Sequence, residues 1–107
     1  MLYKFKSKAT GDLIMLEPNG RRMLEIIGKE AGPKGIVLPQ DMPAAVAALE
    51  AAVAQEEADQ QAAVRLALTE GRSAPKFEAV SLRQRAVPFI EMLKRCHKAD
   101  HEIVWGV

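Results

Sequence analysis

The residues with the most chemistry in them stand together near the end of the chain, at Cys96-His97-Lys98-Ala99-Asp100-His101. His97 and His101 are four apart, so on one continuous helix both imidazoles project from neighbouring turns. Two histidines at that spacing can share a divalent metal, and Cys96 or Asp100 would add a thiolate or a carboxylate. His97 and His101 are therefore the candidate metal ligands. Two features oppose the assignment. Cys96 falls on the apolar side of a helical pattern that His97 borders, where a thiol behaves as a small hydrophobe. Asp100-His101 stand where that pattern gives way to a β-rich run, which breaks the four-residue geometry. No second cluster of ligating residues elsewhere completes a closed site. As a nucleophile, Cys96 would need exposure and an activating base. His97 is adjacent to it, and helical neighbours one apart do not face each other. No catalytic residue and no cofactor is expected, and an enzyme ranks behind the binding classes.

Basic residues form the next group: Arg83, Arg85, Lys94, Arg95 and Lys98 in one helical segment, and Arg21-Arg22 in another. Phosphate contacts require such groups on one accessible face, whereas helical spacing scatters these over both flanks. No exposed aromatics interleave with them for base stacking. The formal net charge is +1, from 15 basic and 14 acidic residues, which argues against nucleic acid as the partner. Gly32-Pro33-Lys34-Gly35 lacks the Gly-Lys-Ser/Thr ending of a phosphate loop and reads as a helix stop.

The elements that would position these groups follow from periodicity. Tyr3 and Phe5 alternate with Lys4 and Lys6 as in a half-exposed strand. Leu13-Ile14-Met15-Leu16 is a second strand, with the turn signal Thr10-Gly11-Asp12 between them. The two predict a hairpin whose loop exceeds two residues. After Pro18, Asn19 is the expected cap of a helix carrying Met23, Leu24, Ile27 and Ala31, stopped by Gly32-Pro33. Ile36-Val37-Leu38 is either an edge strand or an extended lead-in; Pro39 behind it favours the lead-in.

Asp41-Met42-Pro43 starts a second helix, with Met42, Val46, Leu49 and Val53 as its apolar stripe. The stripe lapses after Val53. Alanine keeps helix propensity high through about Leu68, so the helix either continues unsupported or breaks and restarts. Residues 70–79 read as a loop, and 56–79 is the expected flexible segment. Ser81 caps a third helix with Leu82, Ala86, Phe89, Ile90, Leu93, Cys96 and His97 on one face, a Glu91–Arg95 ion pair, and Pro88 on the solvent side, bending it without ending it. The closing run, 102–107, alternates like a strand.

The chain of 107 residues, 49% apolar and 5% aromatic, fits a single domain, 1–107, with a core of Leu, Ile, Val and Met. The lone Cys96 permits no intrachain disulfide, which suits a reducing compartment. The first residues hold no apolar signal segment, and the most apolar stretch, 44–54, is too short to span a membrane. A cytoplasmic location is expected.

Three segments carry a resemblance: Met1-Leu2-Tyr3-Lys4-Phe5-Lys6-Ser7-Lys8-Ala9, Pro39-Gln40-Asp41-Met42-Pro43-Ala44-Ala45, and Leu82-Arg83-Gln84-Arg85-Ala86 through Val104-Trp105-Gly106-Val107. In these segments, their order and its length, the chain resembles a domain-of-unknown-function family of small, mostly proteobacterial, single-domain proteins. That resemblance implies a free-standing bacterial domain and assigns no activity and no functional residue.

The expected fold is α+β: a three-stranded antiparallel sheet, made of the N-terminal hairpin and the C-terminal strand, packed by three helices. Tyr3, Phe5, Leu13, Met15, Ile103 and Trp105 share the face under the helices. Leu2, Ile14, Leu16 and Val104 point the other way, beside Lys4 and Lys6. If helices leave that second face bare, its apolar residues are a candidate interface. The expected function is a non-catalytic interaction or regulatory module that self-associates as a homo-oligomer. The alternative is a small metal- or nucleic-acid-binding protein.

Overall fold

A computed structural model describes residues 2–77 and 80–106. Met1, Glu78, Ala79 and Val107, which the expected loop and terminal strands touch, lie outside the described residues. The elements run β1 (Leu2–Ser7), β2 (Thr10–Leu16), α1 (Glu17–Ile26), β3 (Gly35–Val37), a 3-10 turn (Pro39–Asp41), α2 (Met42–Thr69), α3 (Leu82–Ala99) and β4 (Ile103–Trp105). Among the described residues the class is α+β with three helices, as expected, but the sheet has four strands, ordered β2-β1-β4-β3 and antiparallel throughout.

The extra strand corrects the reading of Ile36-Val37-Leu38 as a lead-in. Gly35, Ile36 and Val37 pair with Trp105, Val104 and Ile103. Pro39 comes after the last paired residue, so its missing N–H costs the ladder nothing; it opens the 3-10 turn instead. Gly35 is required here because a Cβ would run into the Trp105 indole.

The hairpin is tighter than expected. Ser7 pairs with Thr10 across only Lys8 and Ala9, and an irregularity between Phe5 and Ser7 absorbs the offset. Thr10-Gly11-Asp12 therefore belongs to β2 and not to the turn.

α1 starts two residues before Asn19. Pro18 sits within its first turn, where an N–H would be unsatisfied anyway. It ends at Ile26, short of Gly32-Pro33, and Gly28 just beyond takes φ +80°. That turn lets the Gly28 and Lys29 amides close on the Glu25 and Leu24 carbonyls.

α2 is one unbroken helix of 28 residues. Met42, Val46, Leu49 and Val53 are buried as expected, together with Ala45. Asp41 occupies the cap position, but its side chain makes no capping bond and faces Lys29 Nζ at 3.7 Å. Beyond Glu57 the helix projects as an arm, which lengthens the molecule to 53 Å. The arm ends where Gly71, at φ +73°, reverses the chain.

α3 carries the expected Ser81 cap as a full capping box with Gln84 and runs through Pro88 without a break. Its buried face holds Leu82, Ala86, Phe89, Ile90, Met92, Leu93 and Cys96, while His97 is exposed and not part of it. The expected Glu91–Arg95 pair does not form; among the described residues the ion pair of this helix is Arg83 to Glu57 of α2.

The core lies between the sheet and the helices. Phe5 stacks on Phe89 at 4.8 Å and meets Trp105 edge-on at 6.0 Å between ring centres. Two aromatic tips reach the loop after α1: Tyr3 Oη donates to the Ala31 carbonyl at 3.1 Å and Trp105 Nε1 to the Gly32 carbonyl at 3.1 Å. Each apolar ring is thus buried with its polar atom satisfied.

Candidate functional site

The sheet has one covered face and one open face, and β-strand alternation decides which residues land where. Tyr3, Phe5, Ile103 and Trp105 are buried under the helices, with Leu13 and Met15 partly buried beside them. On the other side Leu2 is 61% exposed, Leu16 61%, Ile14 52% and Ile36 43%. Val104 is half-buried.

The strand register makes these residues neighbours. Leu2 lies opposite Leu16, Lys4 opposite Ile14, and Lys6 and Ile36 both opposite Val104. The result is a contiguous surface with two apolar patches, Leu2/Ile14/Leu16 and Ile36/Val104, and a central strand that supplies Lys4 and Lys6. All four residues named from the sequence stand on this face. Ile36 joins them because its segment, an edge strand or a lead-in by sequence with Pro39 favouring the lead-in, pairs with β4 as a strand.

The candidate metal pair is arranged differently. α3 ends at Ala99, and Asp100 adopts a left-handed conformation at φ 58°. The His101 amide closes on the Cys96 carbonyl at 3.0 Å, so His101 follows the helix end and leaves the four-residue spacing. His97 Nδ1 lies 3.0 Å from the Pro39 carbonyl, and Cys96 is buried. Among the described residues no three His, Cys, Asp or Glu side chains are grouped to hold a metal.

Several of the candidate basic residues are tied into the fold. Arg21 pairs with Glu17, Arg22 with Glu56 and Arg83 with Glu57. The two-pronged contact of Arg83, at 2.9 and 2.8 Å, holds the Glu57 carboxyl below its ordinary range. Hydrogen bonds and charge from Glu57 raise the guanidinium in turn. Glu56 has a role that the sequence reading missed. Its carboxylate accepts from Arg22 of α1 at 3.4 Å and from the Leu82 amide, at the start of α3, at 3.0 Å. It thus joins three helices and satisfies one free amide of α3.

Among the described residues no helix is long and apolar enough to cross a membrane. The arrangement is that of a small α+β domain with helices on one side of an antiparallel sheet and an apolar, lysine-bearing face on the other. The chain belongs to a family defined as a domain of unknown function, DUF1840, whose profile matches residues 1–105, in keeping with the resemblance seen in its sequence. No curated protein and no solved structure matches it.

Proposed function

We propose that this chain is a non-catalytic interaction module that self-associates through the open face of its sheet. The observation that carries this reading is the exposure of Leu2, Ile14 and Leu16 as one patch, with Ile36 across Lys4 and Lys6 on the same sheet face. A patch of bulky aliphatic side chains on one sheet face is the kind of surface that marks an interface. Covering Leu2, Leu16 and Ile14 would return roughly 1 kcal/mol apiece. Closed two-fold dimers are the commonest way for a small protein to hide such a face. Metal binding has less support, because the helix ends between His97 and His101. Nucleic-acid binding has less because Arg21, Arg22 and Arg83 are paired with carboxylates. The free, buried thiol of Cys96 supports a cytoplasmic setting. The test is light scattering over a wide concentration range, comparing the parent with Leu16→Lys. A mass above the monomer that the lysine variant loses is expected; equal masses for the two proteins at every concentration would overturn the reading.

A further inference from the structure

The open sheet face is not the only uncovered apolar surface. Past Val53 and Glu57, α2 leaves the core. One side of the arm carries Ala58, Ala62 and Leu66 at four-residue spacing, which places them in line, and all three are exposed, Leu66 by 55%. Asp59 lies beside them, also exposed, and accepts from Gln55 Nε2 at 2.8 Å. The linker returns along a different side, where Phe77 and Val64 line a groove.

The two surfaces are complementary. The sheet face has Lys4 and Lys6 in its middle strand, so stacking it on the same face of a second copy would crowd four ammonium groups into the contact, and buried like charges oppose association. The arm face offers aliphatic side chains with one carboxylate, Asp59, on one flank and Arg65 on the other, so it brings no net positive charge to the lysines. Its length also fits: residues 57–69 span about 20 Å as helix, and β1 and β2 run about 20 Å as strands. A helix laid on the bare face of a sheet is the layer arrangement that the covered face already uses. α2 packs on α1 and α3, on the covered side of the sheet, so an arm cannot reach the open face of its own chain.

Taking self-association through the open face as the starting point, we infer that its occupant is the α2 arm of a second copy. Ala58, Ala62 and Leu66 lie over Leu2, Ile14 and Leu16, and Asp59 faces Lys4 and Lys6. Two copies exchanging arms about a two-fold axis close the assembly, and each chain covers both of its exposed surfaces.

Leu66 and Leu68 are both exposed, by 55% and 64%, and point to opposite flanks of the helix. The same substitution at each therefore separates the arm face from general effects of a charge on the helix. Sedimentation velocity on the parent, Leu66→Asp and Leu68→Asp across a concentration series is the experiment, with circular dichroism confirming that each variant is folded. Leu66→Asp should weaken the dimer by at least about tenfold, the effect of losing one central apolar contact, and Leu68→Asp should leave it unchanged. A parent that self-associates and is matched by Leu66→Asp overturns the arm exchange while leaving the sheet-face reading standing. A parent that is monomeric at every concentration overturns both.

Discussion

Replacing Trp105 with alanine removes the largest side chain of the covered sheet face. The indole is 2% exposed, meets Phe5 edge-on and covers Gly35, where no Cβ fits. Loss of a buried tryptophan to alanine costs about 3–5 kcal/mol in packing. The Gly32 carbonyl also loses the donor that now lies 3.1 Å away; that loop borders solvent, so about 1 kcal/mol is a fair addition. Against the 5–15 kcal/mol typical of a small domain, roughly 4–6 kcal/mol is a large share of the total stability. At about 4 °C per kcal/mol for a chain of this size, the melting temperature should fall by roughly 15–25 °C. Trp105→Phe keeps an aromatic ring but loses the donor and part of the volume, so its cost should stay at about 1–2 kcal/mol. Thermal and urea unfolding followed by far-ultraviolet circular dichroism measures both variants. If Trp105→Ala melted within a few degrees of the parent, the placement of β4 at the centre of the fold would be wrong.

Three further outcomes follow from the same geometry. Glu56→Ala releases the Arg22 guanidinium and the Leu82 amide, and with the carboxylate partly solvent-screened it should lower stability by about 1 kcal/mol, read as a drop of roughly 4 °C in a thermal melt. Limited trypsin treatment should cut first after Arg72 or Lys76, in the exposed linker between Glu70 and Phe77 that lacks regular structure; first cuts within α3 would contradict that organisation. Adding zinc should leave the melting temperature unchanged, because His101 stands beyond the helix end; a stoichiometric, chelator-reversed rise that His101→Ala abolishes would instead establish the metal site.

Much of the fold is written in local pattern. The Tyr3/Phe5 alternation, the Met42-Val46-Leu49-Val53 stripe and the Ser81 cap each name an element and its buried face, because periodicity and capping act over a few residues. What escaped depends on partners distant in sequence. Ile36-Val37 looks ambiguous beside Pro39 until β4 pairs with it. The span of α2 past Val53 could not be fixed from a stripe that lapses; alanine propensity carries the helix on, and Glu56 and Glu57 tie its midpoint to α1 and α3. Asn19 resembles a cap, yet Pro18 is accepted one position earlier within the helix. The open face was legible as strand alternation alone, whereas the bareness of that face is a property of where three helices settle.

With the outward residues of β1 and β2 meeting a second copy, an amide chemical-shift map recorded during dilution reports on them one by one. Changes should concentrate at Leu2, Lys4, Ile14 and Leu16 and extend to Ile36 and Val104, while Met23, Leu49 and Leu93 in the core stay fixed. A spectrum that does not change from concentrated to dilute solution, or one whose changes fall only outside the open face, would mean that the open face meets no second copy.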